Sequence, residues 1–259
     1  MLAGALPFLR CPYCGTALSE AERAIRCPAG HSFDVARQGY VDLMPPGPRP
    51  LGDTAEMVAA REAFLGAGHF EPIAVAVAEE ATDAGCSGRC VVEVGAGTGY
   101  YLARSRGGRV GIALDSSRYA LRRAARAGLG AVVCDAWRGL PVRDGVADAV
   151  LCVFAPRNTD ELRRIAAPGA PIVVVTPTPR HLAEIVGPLG LLSVEARKQE
   201  RLEAALGVPL RSRVVERDLS LSRGDVAALI AMGPSAWHVD AAAVARTADV
   251  TLSVRVSVY

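Results

Sequence analysis

The chain lacks a lysine population, a strong charge of either sign and any long apolar run. Lys198 is the only lysine among 29 basic residues, so the positive charge is carried almost wholly by arginine. This excludes a lysine-rich tail for nucleic acid or membrane, and leaves planar guanidinium forks that suit phosphates. With 27 acidic residues opposing them, the formal net charge is only +2, which permits a nucleic-acid partner without announcing one. No uninterrupted apolar stretch reaches the roughly 20 residues that a bilayer helix requires, so no membrane segment is expected. Met1 to Arg10 has no charge-then-apolar export pattern, and seven cysteines are an odd number for a disulfide framework. A soluble, cytoplasmic protein is expected. What is abundant is core material: 51% of the 259 residues are hydrophobic. There is no internal repeat.

Four of the potential metal ligands fall in a pattern. Cys11-Pro12-Tyr13-Cys14 precedes Cys27-Pro28-Ala29-Gly30-His31, giving C-x2-C, a twelve-residue spacer and C-x3-H. Two such knuckles place three thiolates and one imidazole around a tetrahedral ion. Four protein ligands with no open position describe structural rather than catalytic zinc. A module of about forty residues buries little apolar surface alone, so the metal is expected to supply much of its folding free energy. The remaining cysteines, Cys86, Cys90, Cys134 and Cys152, lie in or beside apolar segments and read as small buried side chains.

The most informative stretch is Val91-Val92-Glu93-Val94-Gly95-Ala96-Gly97-Thr98-Gly99, an apolar strand entering a glycine-rich turn. Glycines let backbone approach a ligand where a Cβ would collide. The spacing is G-x-G-x-G rather than G-x-G-x-x-G, and Glu93 would repel a dinucleotide's pyrophosphate. A cationic, phosphate-free cofactor fits better, which describes S-adenosylmethionine, and the segment resembles motif I of Rossmann-type methyltransferases. A second apolar strand ends at Asp115, where a carboxylate can accept ribose hydroxyls. A third ends at Asp135-Ala136-Trp137, where such proteins contact adenine. Each aspartate has the alternative job of capping the helix that follows.

The domain plan follows from composition. Residues 1–38 form the zinc-binding module, 39–88 a linker and helical segment, and 89–259 the methyltransferase domain. Pro45-Pro46-Gly47-Pro48-Arg49-Pro50 reads as an extended linker. Helices are expected from Asp53-Thr54 to Leu65 and from Pro72 to about Ala84. Beyond them strands near 90–94, 110–114, 131–134, 148–153 and 171–176 alternate with helices such as Tyr119 to Ala127 and Asp160 to Ala167. Arg213 to Leu221 and Thr251 to Tyr259 supply two more strands. Alternation implies an α/β fold with a parallel, doubly wound sheet, and the resemblance at the glycine turn implies a Rossmann-type class I methyltransferase, whose seven-stranded, mostly parallel sheet matches this count.

On these motifs, together with His31 to Val41, Asp53 to Arg61, Gly68-His69-Phe70, Phe154-Ala155-Pro156-Arg157-Asn158, Thr176-Pro177, Arg180-His181-Leu182 and Met232 to His238, nearly the whole chain resembles the RlmA-type bacterial 23S rRNA guanine-N1 methyltransferases. The resemblance implies methyl transfer from S-adenosylmethionine to N1 of a guanine in a 23S rRNA hairpin near the macrolide site, on naked rRNA or an assembling large subunit. Resistance to tylosin-like macrolides and a homodimer are further implications. It also implies that Cys11, Cys14, Cys27 and His31 bind zinc, and that Phe70, Gly97, Thr98 and His181 join Glu93, Gly95, Gly99, Asp115, Asp135 and Ala136 around the cofactor. Phe70 departs from the tyrosine frequent there. Segment 45–52 is shorter and less basic than in several relatives.

Removing the guanine N1 proton calls for a base, with His181, Asp148 and the backbone carbonyls of Phe154-Ala155-Pro156 as candidates. Phe154 has two readings, a platform for a splayed base or a core aromatic at a strand end. Arg10, Arg23, Arg26, Arg37 and Arg49 are candidates for phosphate contacts. Two other functions compete. A small-molecule methyltransferase on the same scaffold is favoured by the modest charge. A non-catalytic RNA-binding factor is opposed by the intact glycine and carboxylate set.

Overall fold

A computed structural model describes residues 2–82, 88–188, 202 and 204–259. The chain divides into two compact units, Met1–Gly52 with Val77–Val174, and Asp53–Ala76 with Val175–Tyr259.

The first unit opens with a short helix α1 (Leu2–Ala5) and three small strands, β1 (Ser19–Ala21), β2 (Ala24–Arg26) and β3 (Ser32–Asp34), paired antiparallel in the order β1-β2-β3. The main sheet follows: β4 (Tyr40–Asp42), β5 (Cys90–Val94), β6 (Val110–Asp115), β7 (Gly130–Val133), β8 (Ala149–Val153) and the first part of β9 (Ile172–Pro177). Their order is β9-β8-β5-β6-β7-β4. β5 pairs parallel with both β6 and β8, so it is a central strand, and every residue of β5, β7 and β8 is buried. Strands covered on both faces read as continuous apolar runs rather than alternating ones, which is why these segments were conspicuous in the sequence. The covering helices include α4 (Tyr100–Ser105), α5 (Arg118–Arg126) and α6 (Thr159–Ile165). Ser117 starts α5 by accepting the Ala120 N–H, and Arg122, Arg123 and Arg126 leave the core to Leu121, Ala124 and Ala125.

The second unit contains α2 (Ala55–Gly66), the start of α3 (Glu71–Thr82), the end of β9, α7 (Ala183–Val186), β10 (Arg211–Leu221), α8 (Arg223–Ala231), α9 (Ala241–Val244) and β11 (Ala248–Val258). β11 lies between β9 and β10 and runs antiparallel to β10 over eleven residue pairs, Arg211 opposite Val258 through Leu221 opposite Ala248. Thr54 caps α2, and Ser222 with Asp225 forms a capping box at α8.

Numbered along the seven strands β5 to β11, the order is 3-2-1-4-5 in the first unit and 5-7-6 in the second, the class I methyltransferase arrangement. The sequence reading missed the small strands β1 to β3, the helices α1, α8 and α9, and one strand of the main sheet. β4, directly after the zinc module, pairs parallel with β7 and adds an eighth strand. Three residues are too short to show periodicity. Cys86 and the end of the helix expected to reach Ala84 lie outside the described residues. Among the described residues, no helix is long and apolar enough to cross a membrane.

Candidate active site and metal centre

Both knuckles of the zinc module are built by backbone hydrogen bonds. The Cys11 N–H donates to Thr16 O, and the Cys27 N–H donates to His31 O. These turns bring the ligand atoms of Cys11, Cys14, Cys27 and His31 within 4.8 Å of one another. His31 Nδ1 lies 3.5 Å from Cys11 Sγ and 3.3 Å from Cys27 Sγ, while Cys14 and Cys27 Sγ are 3.6 Å apart. The edges of a tetrahedral zinc site with ordinary bond lengths are about 3.6–3.8 Å, so the four residues fit that ion. Thr16 Oγ1, 3.1 Å from Cys14 Sγ, is the main reason that the Cys14 thiol is brought down to about 6, favouring the thiolate that a metal needs. The side chains of Cys14 and Cys27 in turn raise His31, whereas ligation needs its ring nitrogen deprotonated.

The glycine turn follows the C-terminal end of β5. Gly95, Gly97 and Gly99 all have left-handed backbone, with φ of 68°, 54° and 80°. A Cβ on Gly95 would come within 3.0 Å of Ala155 Cβ, and one on Gly99 equally close to Leu129 Cδ1. The first clash shows that the loop after β8 rests directly against the loop after β5. Glu93 points into the fold at 1% exposure, and its Oε2 accepts the Leu102 N–H at 3.0 Å, in the first turn of α4. The helix terminus where a dinucleotide-binding protein seats pyrophosphate thus already holds an internal carboxylate. Burial holds Glu93 well above the usual carboxylate range, and Asp115 adds to the shift.

Asp115 ends β6 and orders the neighbouring turns. Its Oδ2 accepts the Gly97 N–H and its Oδ1 the Ser117 N–H, both at 2.8 Å. A carboxylate at the end of a parallel strand is the kind of acceptor that suits ribose hydroxyls. Asp135 accepts the Trp137 N–H at 2.9 Å, and Asn158 donates to Ala136 O at 3.0 Å, tying the loop after β7 to the loop after β8. Ser117 is a supporting residue that the sequence did not single out, and Asn158 is one it named only as the end of a family motif. Thr98 is half-buried within the glycine turn. The first unit therefore gathers Glu93 and Asp115, near the ends of β5 and β6, with Gly95, Gly97, Thr98, Gly99, Asp135 and Ala136 on the following loops, at the C-terminal edge of one parallel sheet, where such folds bind nucleotides.

The zinc-ribbon family model described as RlmA, N-terminal, matches residues 9–47. Over 98% of its length the chain is 45% identical to a protein named as a 23S rRNA (guanine-N(1)-)-methyltransferase of Micromonospora griseorubida, covering 97% of that relative. It is 44% identical, over 97% of this chain and 96% of the relative, to the 23S rRNA (guanine(748)-N(1))-methyltransferase of Streptomyces fradiae. The chain belongs to the 23S rRNA (guanine-N1)-methyltransferase family. A Bacillus subtilis relative of the same name class is 28% identical over 95% of this chain and 94% of its own. An N-terminal zinc ribbon and a class I methyltransferase fold are what this methyltransferase chain contains.

In the second unit, Phe70 is buried and packs edge-on against Phe64, with ring centroids 5.0 Å apart, and tilted against His181 at 5.9 Å. His181 Nδ1 accepts the Ser253 N–H at 3.2 Å, and burial pushes its pKa down to about 4. A neutral imidazole that accepts at Nδ1 carries its proton on Nε2, so His181 is a hydrogen-bond donor and not a base. Asp148 is also no base for this site. It stands before β8, at the opposite edge of the sheet, where its Oδ2 accepts the Arg89 and Cys90 N–H groups at 2.6 and 2.8 Å. Burial raises the Cys152 thiol to about 11, so it stays protonated, and its Sγ contacts the carbonyls of Ala155 and Pro156 at 3.7 and 3.6 Å. Those two carbonyls are turned inward to the thiol, which reduces the list of backbone acceptors to that of Phe154.

Among the arginines of the RNA hypothesis, Arg10 pairs with Asp144 at 3.1 Å and Arg49 with Asp42 at 2.7 Å, while Arg26 donates to Ser32 Oγ. Arg23 and Arg37, which border one groove of the first unit, form no ion pair among the described residues.

Proposed function

We propose that this methyltransferase transfers a methyl group from S-adenosylmethionine to N1 of a guanine in the 23S rRNA hairpin beside the macrolide site, and so confers resistance to tylosin-like macrolides. The observation that carries the cofactor reading is the Glu93 side chain seated on the first turn of α4, which takes up an N–H donor that a pyrophosphate would use. The acceptor is supported by kinship with the Streptomyces fradiae protein, whose name specifies guanine 748 and N1. The tylosin-resistance members are the relatives that this reading follows.

Bound S-adenosylmethionine supplies an electrophilic methyl group on a sulfonium. Asp115 would hold the ribose, Asp135 and the Ala136 backbone the adenine end, and Glu93, Gly95, Gly97, Thr98 and Gly99 the methionine end, with Phe70 and His181 as further contacts. Positioning and exclusion of water contribute most to such a transfer, and buried strand ends suit both. The N1 proton leaves to solvent, with a backbone carbonyl able to accept the N1–H as a hydrogen bond that orients the base, because neither His181 nor Asp148 is placed to take it. Cys11, Cys14, Cys27 and His31 hold structural zinc. In this reading the protein is cytoplasmic, works on naked rRNA or an assembling large subunit, pairs as a homodimer, and divides at residues 38 and 88 into zinc module, linker and catalytic domain.

The test is incubation with labelled S-adenosylmethionine and unmodified 23S rRNA, followed by digestion and mass spectrometry of the labelled nucleoside. The expected product is 1-methylguanosine within the hairpin, with a raised tylosin tolerance in cells expressing the protein. Cofactor binding without transfer to rRNA would redirect the acceptor to a small molecule.

A further inference from the structure

Phe154 lies one residue past β8, on the loop that rests against Gly95. Its φ is 53°, the left-handed region that an aromatic residue rarely occupies, and the residue is 39% exposed beside strand residues that are buried. A core aromatic at a strand end would continue the strand and turn inward. Here the backbone is left-handed directly after the buried strand, and the residue stays part-exposed. The next residues are pinned: Ala155 is buried against the glycine turn, the Cys152 thiol contacts the Ala155 and Pro156 carbonyls, and Asn158 is tied to Ala136. Strain of this kind persists only where surrounding structure imposes it, and it clusters at ligand sites.

We infer that Phe154 is the stacking platform for the extruded acceptor base, holding the ring plane of guanine beside the glycine turn that cradles the methyl donor. The inference rests on the rRNA-methyltransferase reading above. A base taken out of a hairpin loop loses its neighbours' stacking, and an exposed, rigidly mounted ring replaces it. A stacking platform needs an aromatic face but no hydrogen bond, so it separates aromatic from aliphatic substitutions. No proton transfer is assigned to the side chain.

The experiment compares Phe154→Leu and Phe154→Tyr in the full-length, zinc-loaded protein. It measures steady-state methylation of the 23S rRNA hairpin transcript and, by calorimetry, binding of S-adenosylmethionine. Phe154→Leu is expected to lower kcat/KM for RNA by about ten- to a hundredfold, the loss typical of one base–aromatic stack, with cofactor affinity unchanged. Phe154→Tyr is expected to stay within about threefold of the parent, because the face is kept. Equal loss in both variants, or loss of cofactor binding alongside activity, assigns Phe154 a purely structural role and overturns the inference. Undiminished activity in Phe154→Leu overturns it as well. If the parent itself binds cofactor but methylates no rRNA, the functional reading falls and this inference with it, an outcome distinct from a parent that is active and indifferent to the ring.

Discussion

Gly95→Ala tests the contact between the two loops that build the cofactor cradle. Two separate costs are expected. The backbone at Gly95 has φ 68°, and an L-residue with a Cβ pays about 1–2 kcal/mol to stay left-handed. The new methyl would also come within 3.0 Å of Ala155 Cβ, an overpacking worth about 1–3 kcal/mol because Ala155 is buried and held by the contacts of Cys152. Together the loss is about 2–5 kcal/mol, a large share of the roughly 5–15 kcal/mol that keeps a domain folded. Removing the opposing methyl separates the terms. Ala155→Gly in the Gly95→Ala background relieves the steric part but leaves the left-handed part and adds about 0.5–1 kcal/mol for the flexibility of a new glycine, so the double variant recovers only part of the loss. Urea unfolding followed by circular dichroism should therefore rank the parent first, the double variant second and Gly95→Ala last. Cofactor affinity measured by calorimetry should fall at least about tenfold in Gly95→Ala, since the cradle and the clash share one loop. A single variant as stable as the parent, or a double variant no better than the single, would refute the loop-to-loop contact as the determinant.

Cys14→Ser should reduce bound zinc, measured by mass spectrometry of the metal, from about one ion per chain to near none, and should lower the melting temperature. For His181 the folded pKa of about 4 lies below the ordinary 6.5, so the neutral imidazole stabilises the fold above pH 6.5 and this contribution is lost as pH falls towards 4. His181→Gln should accordingly flatten the stability profile between those values in urea unfolding, and an unchanged acid slope would remove His181 as its source. Arg23→Ala with Arg37→Ala should weaken rRNA binding and reduce the salt slope by about one for each arginine, whereas the same change at the paired Arg10 and Arg49 should do less; filter binding across a salt series distinguishes the two sets.

What the sequence displays well is whatever burial or covalent spacing enforces. β5, β7 and β8 are buried on both faces, so their apolar runs stand out, and C-x2-C with C-x3-H announces four ligands that converge within 4.8 Å. The glycine turn is legible for the same reason, because left-handed backbone at three alternating positions leaves little choice but glycine. β4 is illegible because its register is supplied by β7 rather than by any pattern of its own three residues. The electrostatic roles were harder still. Glu93 and Asp148 are both carboxylates beside the same central strand, yet one occupies a helix terminus at the cofactor edge and the other staples two backbone N–H groups at the opposite edge. Residue type cannot separate these uses; position along the strand does. Phe154 is the sharpest case. Its left-handed backbone is imposed by Ala155 against Gly95 and by the thiol of Cys152, contacts made by residues that read as ordinary core, so the ring's exposure follows from packing around it and not from the phenylalanine.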